Sequence, residues 1–380
     1  MKLMRCCTVS MSLGFVSGMI PMLEKEGYVV VLLSSAGQEH DDLHREYGVR
    51  CIAVEMVRHI SPWRDLKSLF RLIRVMRRER PDIVHSMTPK AGLLCMMAAK
   101  MAGVPVRIHT FTGLVFPTSK GLKRKILMFT DRLTCACATH IIPEGEGVRN
   151  DLIDNSITRK PLKVLGHGNV KGIDMERFSR RADVMRISDG LRDESQFTFL
   201  FVGRIVGDKG INELVHAFVR LHQELPKTRL WLVGWLEADL DPVTPETLQL
   251  INSCDAIVAP GSKGGDELLA WYVAADCFVF PSYREGFPNT VMEAGAMGLP
   301  SIVTDINGSR EIIREGENGT IIPPHDEESL LNAMRRMVDD KVWRDGMASN
   351  ARDMIGSRYE QGYVRRCLVE YYKEINSKGN

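Results

Sequence analysis

Short apolar runs alternate with helical stretches along most of the chain, and few folds accommodate that alternation. The first runs are Leu3 to Val9, Tyr28 to Ser34, Cys51 to Val54, Ile83 to His85, Val106 to Thr110 and His140 to Ile142, with helical segments between them. Strands separated by helices build a mostly parallel sheet covered on both faces, an α/β class. From Phe197 the pattern restarts. FTFLFVGRI reads as a fully buried strand, and Leu230 to Gly234, Ile257 to Ala259 and Ser301 to Thr304 read as further strands. The apolar run Trp271 to Phe280 reads as another, delivered into a loop at Pro281-Ser282. Glu311 to Ile313 reads as helix, Asn318 to Thr320 as turn and Glu328 to Met337 as helix, and Arg358 to Ile375 is expected as one terminal helix. At 380 residues the chain is long enough for two domains, each with its own core.

Chemistry concentrates in the second half. After Phe280 the chain reads PSYREGFPNTVMEAGAMGLP, so Glu285 falls on a loop and Glu293 in the first turns of a helix opened by Asn289-Thr290. Backbone N–H groups at such a helix start, with the macrodipole, favour a bound anion such as a diphosphate. A second loop, Gly203-Arg204 followed by Gly207-Asp-Lys209-Gly210, carries two cations where a strand passes into a helix. Glycines there let backbone approach a ligand, and the cations neutralise phosphate without a metal. The bland alternative is that Arg204 and Lys209 form salt bridges with local acids. Asp239-Leu-Asp241 has the form of a metal clamp but sits beside Pro242 and reads more simply as a loop.

The strings EGFPNTVMEAGAMGLP and VGRIVGDKGINELVHAF together resemble retaining glycosyltransferases of family 4, which have the GT-B fold. The resemblance implies two Rossmann-like domains facing across a cleft, 1–170 for the acceptor and 171–357 for the nucleotide-sugar, with 358–380 a helix crossing back to the first domain. LGHGNVKGIDMERF resembles the family's interdomain linker, although Gly-His-Gly replaces the commoner Pro-Asn-Gly. By the same resemblance Arg204 and Lys209 hold the donor's phosphates, Glu293 the ribose and Glu285 the donor sugar or the charge developing on it. Gly203, Phe287, Pro288, Asn289, Thr290 and Val258 are then expected around the donor, Val258 beside the base. The family usually has a Gly-Gly pair after its first strand; this chain has only Gly14, expected at the donor. His109 lies where the family often holds a histidine facing the donor sugar. The implied reaction retains the anomeric configuration, takes no cofactor or metal and uses a nucleotide-sugar, UDP-linked, as co-substrate.

The first half carries 25 Lys/Arg against 15 Asp/Glu up to Gly166, about +10, while the whole chain is near neutral at +2. Phe70 to Arg80, FRLIRVMRRER, reads as an amphipathic basic helix, and Lys120, Lys123, Arg124 and Lys125 form a second cluster. Both fit a solvated surface or a footing on anionic lipid headgroups; nucleic acid is a third option without a recognition motif beside the charge. His85 and Lys90 follow a strand end and are expected near the acceptor. SMTPKAG and PSYREGFPNTVMEA resemble enzymes that extend undecaprenyl-diphosphate-linked saccharides for bacterial surface polysaccharides. No apolar run reaches the roughly 18 residues that span a bilayer, and Met1-Lys2-Leu3 runs into Arg5 rather than a signal core. Nine scattered cysteines suit a reducing compartment. These features together imply a cytoplasmic enzyme at the inner face of the cytoplasmic membrane. A GDP-sugar mannosyl- or fucosyltransferase, a GT-B epimerase, a glycogen-synthase-like polymerase and a non-catalytic binding protein are the alternatives.

Overall fold

The computed structural model describes residues 1–237 and 241–378. The chain divides into two compact units, Met1–Lys171 together with the residues from Val364 onward, and Gly172–Tyr363. Six strands form the sheet of the first unit: β1 Lys2–Cys6, β2 Val29–Ser34, β3 Arg50–Ala53, β4 Ile83–Met87, β5 Val106–Phe111 and β6 His140–Pro143. All their pairings are parallel, in the order β3-β2-β1-β4-β5-β6. The second unit repeats the plan with β7 Phe197–Val202, β8 Thr228–Val233, β9 Ile257–Gly261, β10 Cys277–Phe280, β11 Ser301–Thr304 and β12 Gly319–Ile322, ordered β12-β11-β10-β7-β8-β9. Each is the doubly wound Rossmann order, in which strand order reverses once.

Strands covered on both faces must be apolar throughout, and VVVLLS of β2 and FTFLFV of β7 meet that demand. The covering helices are amphipathic. Pro62–Glu79 starts on a proline, buries Leu69, Leu72, Ile73 and Met76 at helical spacing, and stops at Arg80 in the left-handed conformation. On the other face of the first sheet the last helix buries Leu368, Val369, Tyr372 and Ile375 against Leu3, Leu32, Ile83, Ile108 and Ile142.

Three expectations need correction. Trp271–Phe280 is not one strand: helix Gly265–Ala274 ends inside the run, and only Cys277–Phe280 is extended. An apolar run buried all round does not distinguish the two states by periodicity. Asn318 to Thr320, expected as turn, runs into the edge strand β12, Gly319–Ile322, along β11. The terminal helix is two helices, Lys341–Tyr359 and Gln361–Lys378. Glu360 separates them, its carboxylate accepting the N–H groups of Gly362 and Tyr363 at 2.6 and 2.8 Å. Ile173 bonds the break from both sides, donating to the Tyr359 carbonyl at 2.7 Å and accepting from Gln361 N–H at 2.9 Å.

Gly210, at φ +70°, starts helix Ile211–Glu224, and a Cβ there would run into the Pro281 carbonyl. Gly210→Ala is expected to lower stability to urea by ~1–3 kcal/mol, through positive φ and the lost approach of two loops; an unchanged midpoint would show that the loops do not need that approach.

Candidate functional site

Strand order in the second unit reverses between β7 and β10, so the loops leaving their carboxyl ends are where a ligand meets backbone. Asp208 ties these loops together. Its N–H donates to Asp241 Oδ2 at 2.5 Å, its carbonyl accepts from Tyr283 N–H at 2.9 Å, and its carboxylate accepts from Arg284 Nη2 at 3.2 Å. Asp241 is therefore a clamp on the 207–209 turn; Asp239, the other acid of that Asp-x-Asp run, lies outside the described residues. Gly234 packs under the same loop, where a Cβ would collide with the Gly203 carbonyl.

The loop pair brings Lys209 and Glu285 together. Lys209 Nζ pairs with Glu285 Oε1, which also accepts the Ser282 hydroxyl at 2.9 Å, and the ammonium lies 5.3 Å from the centre of the Phe280 ring. Arg204 pairs with Glu237 at 2.7 Å. Both cations are thus neutralised by local acids as the chain stands. Glu293 lies in helix Asn289–Ala296 and accepts from the buried Tyr272 hydroxyl at 3.1 Å; burial, then the nearby carboxylate, raises that phenol well above its usual range. Asn289 and Thr290 open this helix after Pro288. Phe287 instead points into the core, its ring 5.4 Å from Tyr359, so only its backbone faces the loop. Gly308, at φ +73°, lets the next βα loop lie against Gly286 and Phe287. Val258 sits on the edge strand β9, paired with Trp231.

In the first unit the reversal falls between β1 and β4, and Thr88 Oγ1 bridges the two loops by accepting from Thr8 N–H at 3.1 Å and meeting Thr8 Oγ1 at 2.7 Å. Thr88 holds φ +70°, strained for a β-branched residue. Beyond it, His109, Thr112, Leu127, Thr130 and Asp131 border one cavity. His109 is 1% exposed, meets Ser86 Oγ at 2.9 Å through Nδ1 and lies so close over Gly92 that a Cβ would strike the ring. Burial pushes its pKa down to about 3, so the ring is neutral. Burial pushes Asp131 up to about 7.

The remaining expected residues lie elsewhere. His85 turns to the opposite face of the sheet, with Nδ1 at 2.6 Å from the Tyr372 hydroxyl and Nε2 at 2.7 Å from Thr110 Oγ1, leaving no ring nitrogen for an acceptor. Lys90 is paired with Asp65 at 2.6 Å. Gly14 is exposed and right-handed helical at φ −57°, with open space where a Cβ would stand, so its backbone does not require glycine. Asp131 was not anticipated. The available signal was its spacing from Leu127 and Thr134, which puts it on the inward stripe of helix Gly121–Cys137 rather than among the surface lysines. Among the described residues no helix is long and apolar enough to cross a membrane, and no three His, Cys, Asp or Glu side chains group as a metal site.

Two family models cover most of the chain: Glycosyl transferases group 1 matches residues 186–354, and Glycosyl transferase 4-like domain matches 15–168. The capsular polysaccharide biosynthesis glycosyltransferase CapM of Staphylococcus aureus is 30% identical over 98% of this chain and 96% of its own. The UDP-Gal:alpha-D-GlcNAc-diphosphoundecaprenol alpha-1,3-galactosyltransferase of Escherichia coli is 30% identical over 79% of this chain and 77% of its own. Anabaena Alr3699/HepE, crystallised with UDP, superposes with TM-score 0.80 over 98% of this chain and 100% of its own at 16% identity, which establishes the GT-B fold.

A carboxyl raised to about 7 keeps its proton in the folded state while the unfolded chain, titrating near 4, has lost it. Stability contributed by Asp131 therefore falls as pH rises from about 4 to about 7. Asp131→Asn is expected to stabilise the protein by ~1–2 kcal/mol at pH 8 and by little at pH 4. Urea unfolding at both pH values reads the difference, and an equal effect at the two would refute the raised carboxyl of the half-buried Asp131.

Proposed function

The chain belongs to the group 1 glycosyl transferases, and we propose that it moves a hexose or N-acetylhexosamine from a UDP-sugar to a hydroxyl of an undecaprenyl-diphosphate-linked saccharide, with retention, in bacterial surface polysaccharide synthesis. One observation carries the reading: at the reversal point of the second sheet Lys209, on the loop after β7, meets Glu285, on the loop that leads from β10 into helix Asn289–Ala296, while Arg204 follows β7 and pairs with Glu237. The E. coli relative's name, which specifies UDP-Gal and a diphosphoundecaprenol acceptor, supports the choice of substrates.

In this mechanism the diphosphate draws Lys209 and Arg204 away from Glu285 and Glu237. A diphosphate brings more negative charge than one carboxylate, and the Asn289 and Thr290 N–H groups add donors aimed at the charge that grows as the bond breaks. Glu293 receives the ribose hydroxyls. Glu285, released from Lys209, faces the donor sugar; His109, neutral, is suited to hydrogen bonding rather than to pairing with an anion. The acceptor attacks on the face the nucleotide leaves, with a phosphate oxygen taking its proton, so no metal is required.

The first unit also offers a membrane footing. Trp63, Leu66 and Phe70 stand exposed at helical spacing on Pro62–Glu79, Trp63 to 84%, beside Arg64, Lys67, Arg71 and Arg74. Leu122, Ile126 and Phe129 form a matching stripe on Gly121–Cys137 beside Lys123 and Lys125. Apolar side chains flanked by cations suit the headgroup region of an anionic bilayer. The acceptor, in this reading, is a lipid-linked saccharide presented at the cytoplasmic face.

Calorimetric titration with UDP and GDP, without divalent metal, tests the donor site. UDP is expected to bind, and Arg204→Ala and Glu293→Ala each to weaken it about tenfold or more, the effect of one charge-assisted contact. Preference for GDP would move the donor to mannose or fucose chemistry, and binding of neither would overturn the assignment. Co-sedimentation with vesicles tests the footing: Trp63→Ser with Phe70→Ser is expected to cut binding to anionic vesicles about tenfold while leaving UDP affinity unchanged, and equal binding by wild type and variant would exclude that helix as the contact.

A further inference from the structure

Arg5 is a cation buried without a counter-charge. It lies on β1, is 3% exposed, and no carboxylate pairs with it among the described residues. Nη1 donates to the Tyr372 hydroxyl at 2.8 Å and to Met19 Sδ at 3.5 Å, and Nη2 donates to Met87 Sδ at 3.3 Å. Thioether sulfurs are weak acceptors. Nε, shielded from solvent, has no acceptor at all. A buried guanidinium served this way is strongly unfavourable unless something negative lies nearby.

The neighbours add donors rather than acceptors. Tyr372 accepts from Arg5, and burial pushes its pKa up to about 12, so it keeps its own proton, which goes to His85 Nδ1 at 2.6 Å. Burial and Arg5 hold His85 neutral, and its remaining proton, on Nε2, goes to Thr110 Oγ1 at 2.7 Å. The Thr110 hydroxyl proton is then left over, with no acceptor among the described residues. Arg5, His85 and Thr110 border one small cavity, which Pro143, Asn169 and Leu368 also line. A pocket with one positive charge, two unspent N–H or O–H donors and no acid calls for an anion. Its volume, about 20 Å³, exceeds what one water needs and is on the scale of a monatomic anion.

We propose that this cavity, between the first sheet and the last helix, is a halide site, occupied by chloride in solution and held by Arg5 and Thr110. The cavity borders both segments by which the chain leaves and re-enters the first unit, Asn169-Val170 and Val364. A bound halide would therefore brace both segments. The site is independent of the donor-binding reading and survives its failure.

Crystals of the full chain grown in or soaked with sodium bromide, with diffraction collected at the bromine edge, give the direct test. An anomalous peak within about 3.5 Å of Arg5 Nε and Thr110 Oγ1 is expected; a cavity holding only water, without anomalous signal, overturns the proposal. In solution, replacing gluconate by chloride at constant ionic strength should raise Tm by about 5 °C once chloride reaches ~100 times Kd. Arg5→Met, which fills the same length without charge, and Thr110→Val should abolish or weaken that increment, separating a site from a general salt effect. An equal chloride increment in wild type and both variants would also overturn it. Should Arg5→Met fail to fold, the bromide peak and Thr110→Val still decide.

Discussion

A parallel sheet covered by helices on both faces has one kind of place where backbone can meet a ligand, the carboxyl ends of strands where their order reverses. The chain builds that place twice, between β1 and β4 and between β7 and β10. Neighbouring loops diverge there, and polar groups must hold them in position. In the second unit Asp208 takes that task, using its N–H, its carbonyl and its carboxylate on three partners. In the first unit the hydroxyls of Thr8 and Thr88 take it, at the cost of a strained backbone at Thr88. Every other feature of the candidate site depends on these ties, because the charged side chains ride on the loops they fix.

The electrostatics of the second unit follow from that geometry. Arg204 and Lys209 each face one glutamate, and Lys209 with Glu285 is mostly shielded from solvent. Near a protein surface a unit pair at 4 Å is worth about 4 kcal/mol before desolvation. A diphosphate with more than one charge, met by two cations and a helix N-terminus, competes well with single carboxylates. The same pairing keeps the cations positioned and avoids leaving them uncompensated. A salt bridge with a local acid therefore does not exclude the role toward phosphate proposed for Arg204 and Lys209; under that proposal the two are successive states of one side chain.

Much of this was legible in the residues. The βα alternation set the strands of the first unit within a few residues, and Gly203-Arg204, Lys209, Glu285 and Glu293 fall at the loops and helix start their strings implied. What escaped did so for physical reasons. Trp271 to Phe280 is apolar on every side, so its change from helix to strand left no periodic trace. His85 and Ser86 are neighbours on β4, yet alternation sends one under the last helix and the other to His109. Position at a strand end does not say which face a side chain takes. Asp131 was hidden by its basic neighbours, whose charge marks the outer face of a helix that also has an inner one.

The last helix shows why the first unit keeps polar groups in its interior. Leu368, Val369 and Ile375 pack it on the sheet, but apolar burial is non-directional and would tolerate a shift along the strands. The chain of bonds from Arg5 through Tyr372 and His85 to Thr110 joins the helix to β1, β4 and β5 at fixed points. An apolar side chain in place of Arg5 would fill the space without needing partners; it would also remove the direct tie between β1 and the Tyr372 hydroxyl. A buried charge is weak evidence for stability, so the fixed points that these bonds supply are what the arrangement adds to apolar packing. A small anion beside Arg5 would supply it at lower electrostatic cost, because the guanidinium could then hold its direction without remaining an isolated charge.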